Sequence, residues 1–164
     1  MSSKNLSDEV WSRLREELRS WIGTKYIPLQ KSKNVGADCC TYIGKSLESI
    51  GVLSNCEYPS RRDSHWYLAE NNSPDLILEA FNSNFERFMN REYVYESLGN
   101  WEQYIRGDML LFKFKKKIPL FTHCGVYMGN DIILHNKEKG SISEVQFSDK
   151  WKKYCKRVFR LYER

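Results

Sequence analysis

The stretch Thr122-His-Cys-Gly-Val-Tyr-Met-Gly-Asn-Asp-Ile-Ile-Leu-His-Asn136 decides the fold, because it reads as two short apolar strands joined by a turn. Gly129-Asn130-Asp131 supplies the turn, and each strand carries one histidine, His123 and His135. Side chains alternate faces along a strand, so the register across the turn decides whether the two imidazoles meet. A two-residue loop at Gly129-Asn130 would pair 128 with 131 and send the histidines to opposite faces. A three-residue loop, Gly129-Asn130-Asp131, pairs 128 with 132 and 125 with 135, and sets His135 diagonally beside His123. Their meeting therefore demands an odd-length turn or an equivalent bulge, and Asp tolerates the left-handed conformation that such a turn requires. Gly125 would then face His135, and its missing side chain would leave room for the ring.

Outward from the hairpin, period-two or short apolar segments predict further strands at 92–95, 108–114, 142–147 and 156–162. Turn signals separate them at Arg106-Gly107-Asp108, Ile118-Pro119 and Lys139-Gly140. The first half is helical. From Ser7 to Ile22 a capping serine, acidic first-turn residues and Trp11, Leu14, Leu18, Trp21 and Ile22 at helical spacing predict a helix that Gly23 ends. A second helix is expected from about Cys39 to Ile50, with Asp38 as cap, Ile43, Leu47 and Ile50 inward and Gly51 as stop. Ser73-Pro74 opens a third, to about Met89, with Leu76, Ile77, Ala80 and Phe81 inward. Helices followed by an antiparallel meander define an α+β domain in which the helix carrying Cys39 packs on one face of the sheet.

The chain has 164 residues, 41% hydrophobic and 14% aromatic, enough for one packed domain over 1–164. Its formal charge of +5 is compatible with an anionic partner. The basic runs Lys115-Lys-Lys117 and Lys150-Trp-Lys-Lys153 are short, however, so they read as a solvated face and no nucleic-acid partner is expected. No apolar run approaches a membrane span, and Met1-Ser-Ser-Lys-Asn-Leu-Ser-Asp lacks the apolar core of a signal peptide, so a chain made in the cytoplasm is expected. The five cysteines, at 39, 40, 56, 124 and 155, are odd in number and irregularly spaced, which suggests free thiols in a reducing compartment.

The stretch Asn34-Val-Gly-Ala-Asp-Cys-Cys-Thr-Tyr-Ile-Gly44 sets Cys39 at the start of a helix, where the positive end of the dipole favours a thiolate, as does a nearby imidazolium. Cys40 would point about 100° further round the helix and serve as a packing group. A thiol, an imidazole base and a group to orient the base suit acyl transfer through a thioester. Cys39, Cys40, His123, Cys124 and His135 are also potential zinc ligands. The adjacent pairs lack the spacing that structural zinc favours and neighbouring strand residues point apart, so no metal and no cofactor is expected. His65 reads as a solvent-facing or packing histidine, with a place on the cleft rim as the alternative.

These stretches resemble the NlpC/P60 family of cysteine peptidases, which cut the peptide stems of bacterial cell wall. Gly23-Thr-Lys-Tyr26 is similar to the family's Gly-Thr-x-Tyr element, Asp38-Cys39-Cys40-Thr41 to its Asp-Cys-Ser-Gly motif, and Gly107-Asp108-Met109-Leu110 to its Gly-Asp-Leu strand. His123-Cys-Gly-Val-Tyr127-Met-Gly129 with His135 resembles its closing hairpin, and cysteine before histidine separates the chain from permuted relatives. The resemblance implies a papain-like fold, with Cys39 as nucleophile, His123 as base and His135 as its orienting group. It also implies Tyr26 on the oxyanion side, the Cys39 amide as second oxyanion donor, and Asp38 beside them. The substrate it implies is the peptidoglycan stem peptide, cut between D-glutamate and a diamino acid by a monomer. Two departures are Cys40-Thr41 for Ser-Gly and Cys124 for an aliphatic residue, the latter expected to face away without consequence. The segment 58–67 is similar to a block of the phage-type branch, encoded with tail genes, and delivery by lysis, on a phage tail or through a secretion apparatus are all open. The alternatives are an amidase or acyltransferase acting on another substrate and an inactive tail or binding module. Loops at 27–37, 55–75 and 115–121 would set selectivity.

Overall fold

A computed structural model describes residues 3–58, 75–115 and 117–164. In chain order the elements are β1 (Lys4–Asn5), α1 (Asp8–Arg19), β2 (Lys31–Ser32), β3 (Gly36–Ala37), α2 (Thr41–Ser49), α3 (Leu76–Phe88) and β4 (Tyr93–Leu98). There follow β5 (Met109–Phe112), β6 (His123–Gly129), β7 (Ile132–Asn136), β8 (Ile142–Gln146), α4 (Asp149–Tyr154) and β9 (Cys155–Glu163). The expected helices and six long strands are present. β1, β2, β3 and α4 are additions too short to carry a periodic signal.

Ser7 Oγ accepts from Val10 N at 3.3 Å and caps α1, whose apolar stripe Trp11, Leu14 and Leu18 is buried. The helix stops at Arg19, short of the expected Ile22, because Ser20 to Ile22 continue in a tighter turn with Trp21 N donating to Leu18 O and Ile22 N to Arg19 O. Trp21 is still buried, whereas Ile22, no longer on a helical stripe, is 44% exposed. Gly23 reverses the chain at φ +90°, and its amide donates to Ile142 O. This clamps the end of α1 onto the start of β8. α3 begins at Leu76, with Asp75 accepting from Leu78 N at 3.3 Å as its cap; Ser73, Pro74 and His65 lie outside the described residues.

The main sheet has seven strands in the order β1-β9-β5-β6-β7-β8, with β4 also paired to β9. Every pairing in it is antiparallel. Alternation sends Met109, Leu111, Cys124, Val126 and Leu134 to the face covered by α1, α2 and α3, where the larger core lies. Leu110, Phe112, Ile133 and Val158 point to the other face, packed by Phe147, Trp151 and Tyr154. Both faces are covered, which explains the unbroken apolar run Met109-Leu-Leu-Phe112. At the far end Asp108, 1% exposed, receives two 2.8 Å hydrogen bonds from Arg160 on β9 and one from Ile105 N.

Candidate active site

Cys39 and Cys40 occupy the turn immediately before α2 rather than its first two helical positions. Asp38 causes this: its Oδ1 accepts from Cys40 N at 2.8 Å and from Thr41 N at 2.9 Å, while Thr41 Oγ1 accepts from Asp38 N. Two orphan amides are satisfied and the hydroxyl answers back, so regular helix starts at Thr41. Both thiols are buried, at 1% and 2% exposure. Their sulfurs are 3.8 Å apart rather than turned away by a helical step.

The hairpin brings the imidazoles together by the bulge, the second of the two expected routes, rather than by a three-residue loop. Gly125 pairs with His135 and Tyr127 with Ile133, as anticipated, but Gly129 rather than Met128 pairs with Ile132. The loop itself therefore has two residues, Asn130 and Asp131, both left-handed at φ +50° and +56°, the signature of a type I′ turn. A bulge at Met128 restores the parity that such a turn would have destroyed. His123 and His135 share a face, with His123 Nε2 3.0 Å from His135 Nδ1. Gly125 is needed for another reason than room for a ring: a Cβ there would lie 2.8 Å from Leu134 O and 2.8 Å from Ile133 Cδ1.

Three contacts that sequence reading missed lock the thiol loop onto the hairpin. Asn136, fully buried next to His135, donates from Nδ2 to Ala37 O at 2.7 Å and to Asp38 O at 3.3 Å. Tyr42 Oη, on α2, donates to Leu134 O at 3.1 Å. Cys124 Sγ donates to Cys39 O at 2.8 Å and lies 3.1 Å from Cys40 Sγ. Cys124 does face the opposite side of the strand from His123, as expected, but that side carries the thiol loop, so it is a neighbour of the nucleophile and not a bystander. Trp151, on the unforeseen α4, packs edge-on against His135 with centroids 4.8 Å apart. A lysine-rich hexapeptide such as Asp149–Tyr154 gives little helical signal, so Trp151 had none to find.

Electrostatics divide the three clustered thiols. Cys39 is held well below the ordinary thiol range, foremost by hydrogen bonding from Cys124, then from Cys40, and further by the hydrogen bond and charge of His123 acting against its burial. Burial pushes Cys40 and Cys124 well up; both sulfur neighbours push Cys40 the same way, whereas for Cys124 Cys39 pushes up and the hydrogen bond with Cys40 pulls down. Burial, with a smaller push from the charge of His123, lowers His135 to about 4, so it is neutral at physiological pH. Asp38 rises to about 6, mainly through burial and then through the charge of Cys39.

Beside the histidines opens a cleft of about 570 Å³ whose walls include Tyr26, Phe114, Thr122, His123, His135 and Trp151, with Lys115, Lys137 and Lys150 also along it. Tyr26 thus reaches the cleft, positioned by its bridge to Ala37. Asp38 does not line it, being buried at 0% exposure and committed to amides of the loop. Thr122 Oγ1 is buried against the cleft without a hydrogen-bond partner among the described residues.

A thiol delivered by the turn before a helix to a sheet whose neighbouring strands β6 and β7 carry paired imidazoles defines a papain-like α+β protein. The family model for the NlpC/P60 family matches residues 23–160, and the chain belongs to that family, whose members are generally cysteine peptidases and typically peptidoglycan hydrolases. Similar solved structures include NlpC2 from Trichomonas vaginalis, with TM-score 0.61 and 13% identity, covering 97% of this chain and 49% of that one. NlpC1 from the same organism has TM-score 0.60 and 14% identity, covering 98% and 46%. A lipoprotein-like NLP/P60 family protein from Staphylococcus aureus Mu50 has TM-score 0.58 and 14% identity, covering 98% and 44%. At these identities the likeness carries the fold alone, and the chain spans less than half the length of each. No curated protein matches the sequence.

Proposed function

We propose that this chain is a cysteine peptidase that cuts stem peptides of bacterial peptidoglycan between D-glutamate and a diamino acid. The observation that carries the reading is the 3.0 Å contact from His123 Nε2 to His135 Nδ1, beside a thiol whose pKa its surroundings depress. With His135 neutral, its Nδ1 accepts from His123 Nε2–H, which leaves the other nitrogen of His123 as a base toward Cys39. His123 takes the thiol proton, and the thiolate attacks the peptide carbonyl. The Cys39 amide, with Tyr26 on the same side, stabilises the oxyanion. The imidazolium then returns its proton to the leaving amine, and water, deprotonated by His123, releases the acyl group from sulfur. Asp38 sets the loop that holds Cys39 and takes no part in the proton transfers. The similarity of segment 58–67 to the phage-type branch supports an enzyme brought to the wall on a phage tail; only Tyr58 of that segment lies within the described residues.

Mass spectrometry of muropeptides digested with the wild type and with Cys39→Ala tests the proposal. Cleavage at the D-glutamyl bond by the wild type alone is expected; identical digests would remove the hydrolase reading, and cleavage of another amide would redirect its substrate.

A further inference from the structure

Beyond catalysis, the sulfur atoms of Cys39, Cys40 and Cys124 form a compact buried triangle, all within 4.8 Å of one another. Two edges measure 3.8 Å and 3.1 Å. Tetrahedral zinc, with Zn–S of about 2.3 Å, requires ligand sulfurs roughly 3.8 Å apart, so the triangle needs only small side-chain adjustments to accept an ion at its centre. The three sulfurs are the protein's ligands, and the fourth position of a tetrahedral ion would fall to solvent, because His123 lies on the opposite face of β6 from Cys124. Three thiols form a set suited to zinc and other thiophilic ions and poorly suited to magnesium or calcium.

The sequence argument against metal rested on adjacent residues pointing apart. It holds for His123 and Cys124 on β6 but not for Cys39 and Cys40, which lie in the capping turn of Asp38 ahead of the regular helix, while Cys124 faces the side of β6 on which that turn packs. We infer that Cys39, Cys40 and Cys124 form a binding site for a thiophilic divalent ion of the zinc class, which captures the nucleophile and holds the protein in a silenced state. Binding exchanges thiol protons for the ion and releases them to solvent, with no redox step. Removal of the ion by a chelator restores the free thiol. The site would exist even if the substrate proposed above were wrong, because its ligands require no substrate.

The test uses cobalt and zinc with the reduced, metal-free full chain. Cobalt should produce an intense thiolate-to-cobalt charge-transfer absorption that saturates at one equivalent and is lost when zinc displaces it. Cys40→Ser and Cys124→Ser should each weaken binding by more than the ~10–100-fold that outer-shell partners are worth. Cys56→Ser, outside the triangle, should leave the spectrum unchanged. Should a serine variant fail to fold, the wild type answers alone: one equivalent of zinc should protect Cys39 from iodoacetamide, read by peptide mass spectrometry. Absence of the charge-transfer band, no protection by zinc, or cobalt affinity equal to wild type in both folded serine variants would overturn the site. Muropeptide cleavage is a separate readout, so failure of the substrate reading is distinguishable from failure of this one.

Discussion

Gly125→Ala isolates the contact on which the histidine register rests. The added methyl would sit 2.8 Å from Leu134 O and 2.8 Å from Ile133 Cδ1, where ordinary contact begins at 3.4 Å; the shortfall of about 0.6 Å must be taken up by movement. The isoleucine tip can turn aside, but the carbonyl belongs to β7 and moves only with the strand. Overpacking of this kind costs about 1–3 kcal/mol, and for a chain of this size about 2 kcal/mol lowers Tm by roughly 4–8 °C. The same displacement separates His123 from His135. Since about 1 Å of misplacement can cost ~100-fold in rate, a fall of about tenfold in kcat is expected. Ile133→Val in the same chain removes one of the two colliding groups and should recover less than half of either loss. Thermal unfolding and stem-peptide hydrolysis measure both effects. If Gly125→Ala melts within about 1 °C of wild type and turns over at the same rate, the argument from strand closeness is wrong.

Acid stability offers an independent check on His135 and Asp38. A histidine lowered to about 4 binds its proton more weakly in the folded state, so its contribution is present above its ordinary value of 6.5 and is lost as pH falls toward 4. Asp38, raised to about 6, contributes in the opposite sense: its stabilisation is full below its ordinary 3.8 and is lost as pH rises through 6. Between pH 4 and 6 the two slopes offset, and His135→Gln should leave stability in urea rising on acidification by about 1.4 kcal/mol per pH unit relative to wild type; equal slopes in the two proteins would refute the assignment. Arg160→Ala strands the buried carboxylate of Asp108, and breaking such a pair should cost about 3–5 kcal/mol by urea unfolding; a loss under about 1 kcal/mol would show the pair to be dispensable. Iodoacetamide at pH 7 should label Cys39 first, because its thiol is held low whereas burial pushes Cys56 up to about 11 and Cys155 up to about 12. Preferential labelling of Cys56 or Cys155 would contradict that order.

Periodicity and turn chemistry made most of the architecture legible. The stripe Trp11, Leu14, Leu18 marks α1, Gly51 stops α2, and alternating or continuous apolar runs mark β4 to β9, because each of these signals is local and repeats over several residues. The pairing of Gly125 with His135 was likewise deducible, since parity along a strand leaves two options and the chemistry needs one of them. Signals that act through a single residue or between distant ones were beyond reach. Asp38 as a cap and a bulge as one route to the register were readable, but the choice of the bulge at Met128 over a longer turn, and the start of regular helix at Thr41 rather than Cys39, arise from hydrogen bonds that no pattern encodes.

The sequence by itself determined the α+β order of elements, the thiol at a helix start, the two imidazoles on one hairpin and the family motifs that link them. Tertiary structure alone decided that Asn136 fastens the hairpin to the Cys39 loop, that Trp151 walls the imidazole pair, and that Cys124 completes a sulfur triangle with Cys39 and Cys40. These contacts join residues about 84 to 99 positions apart or depend on a six-residue helix. Their partners are selected by how strands and helices close over one another, and that closure is settled by burial of the whole core and by no property of the local chain.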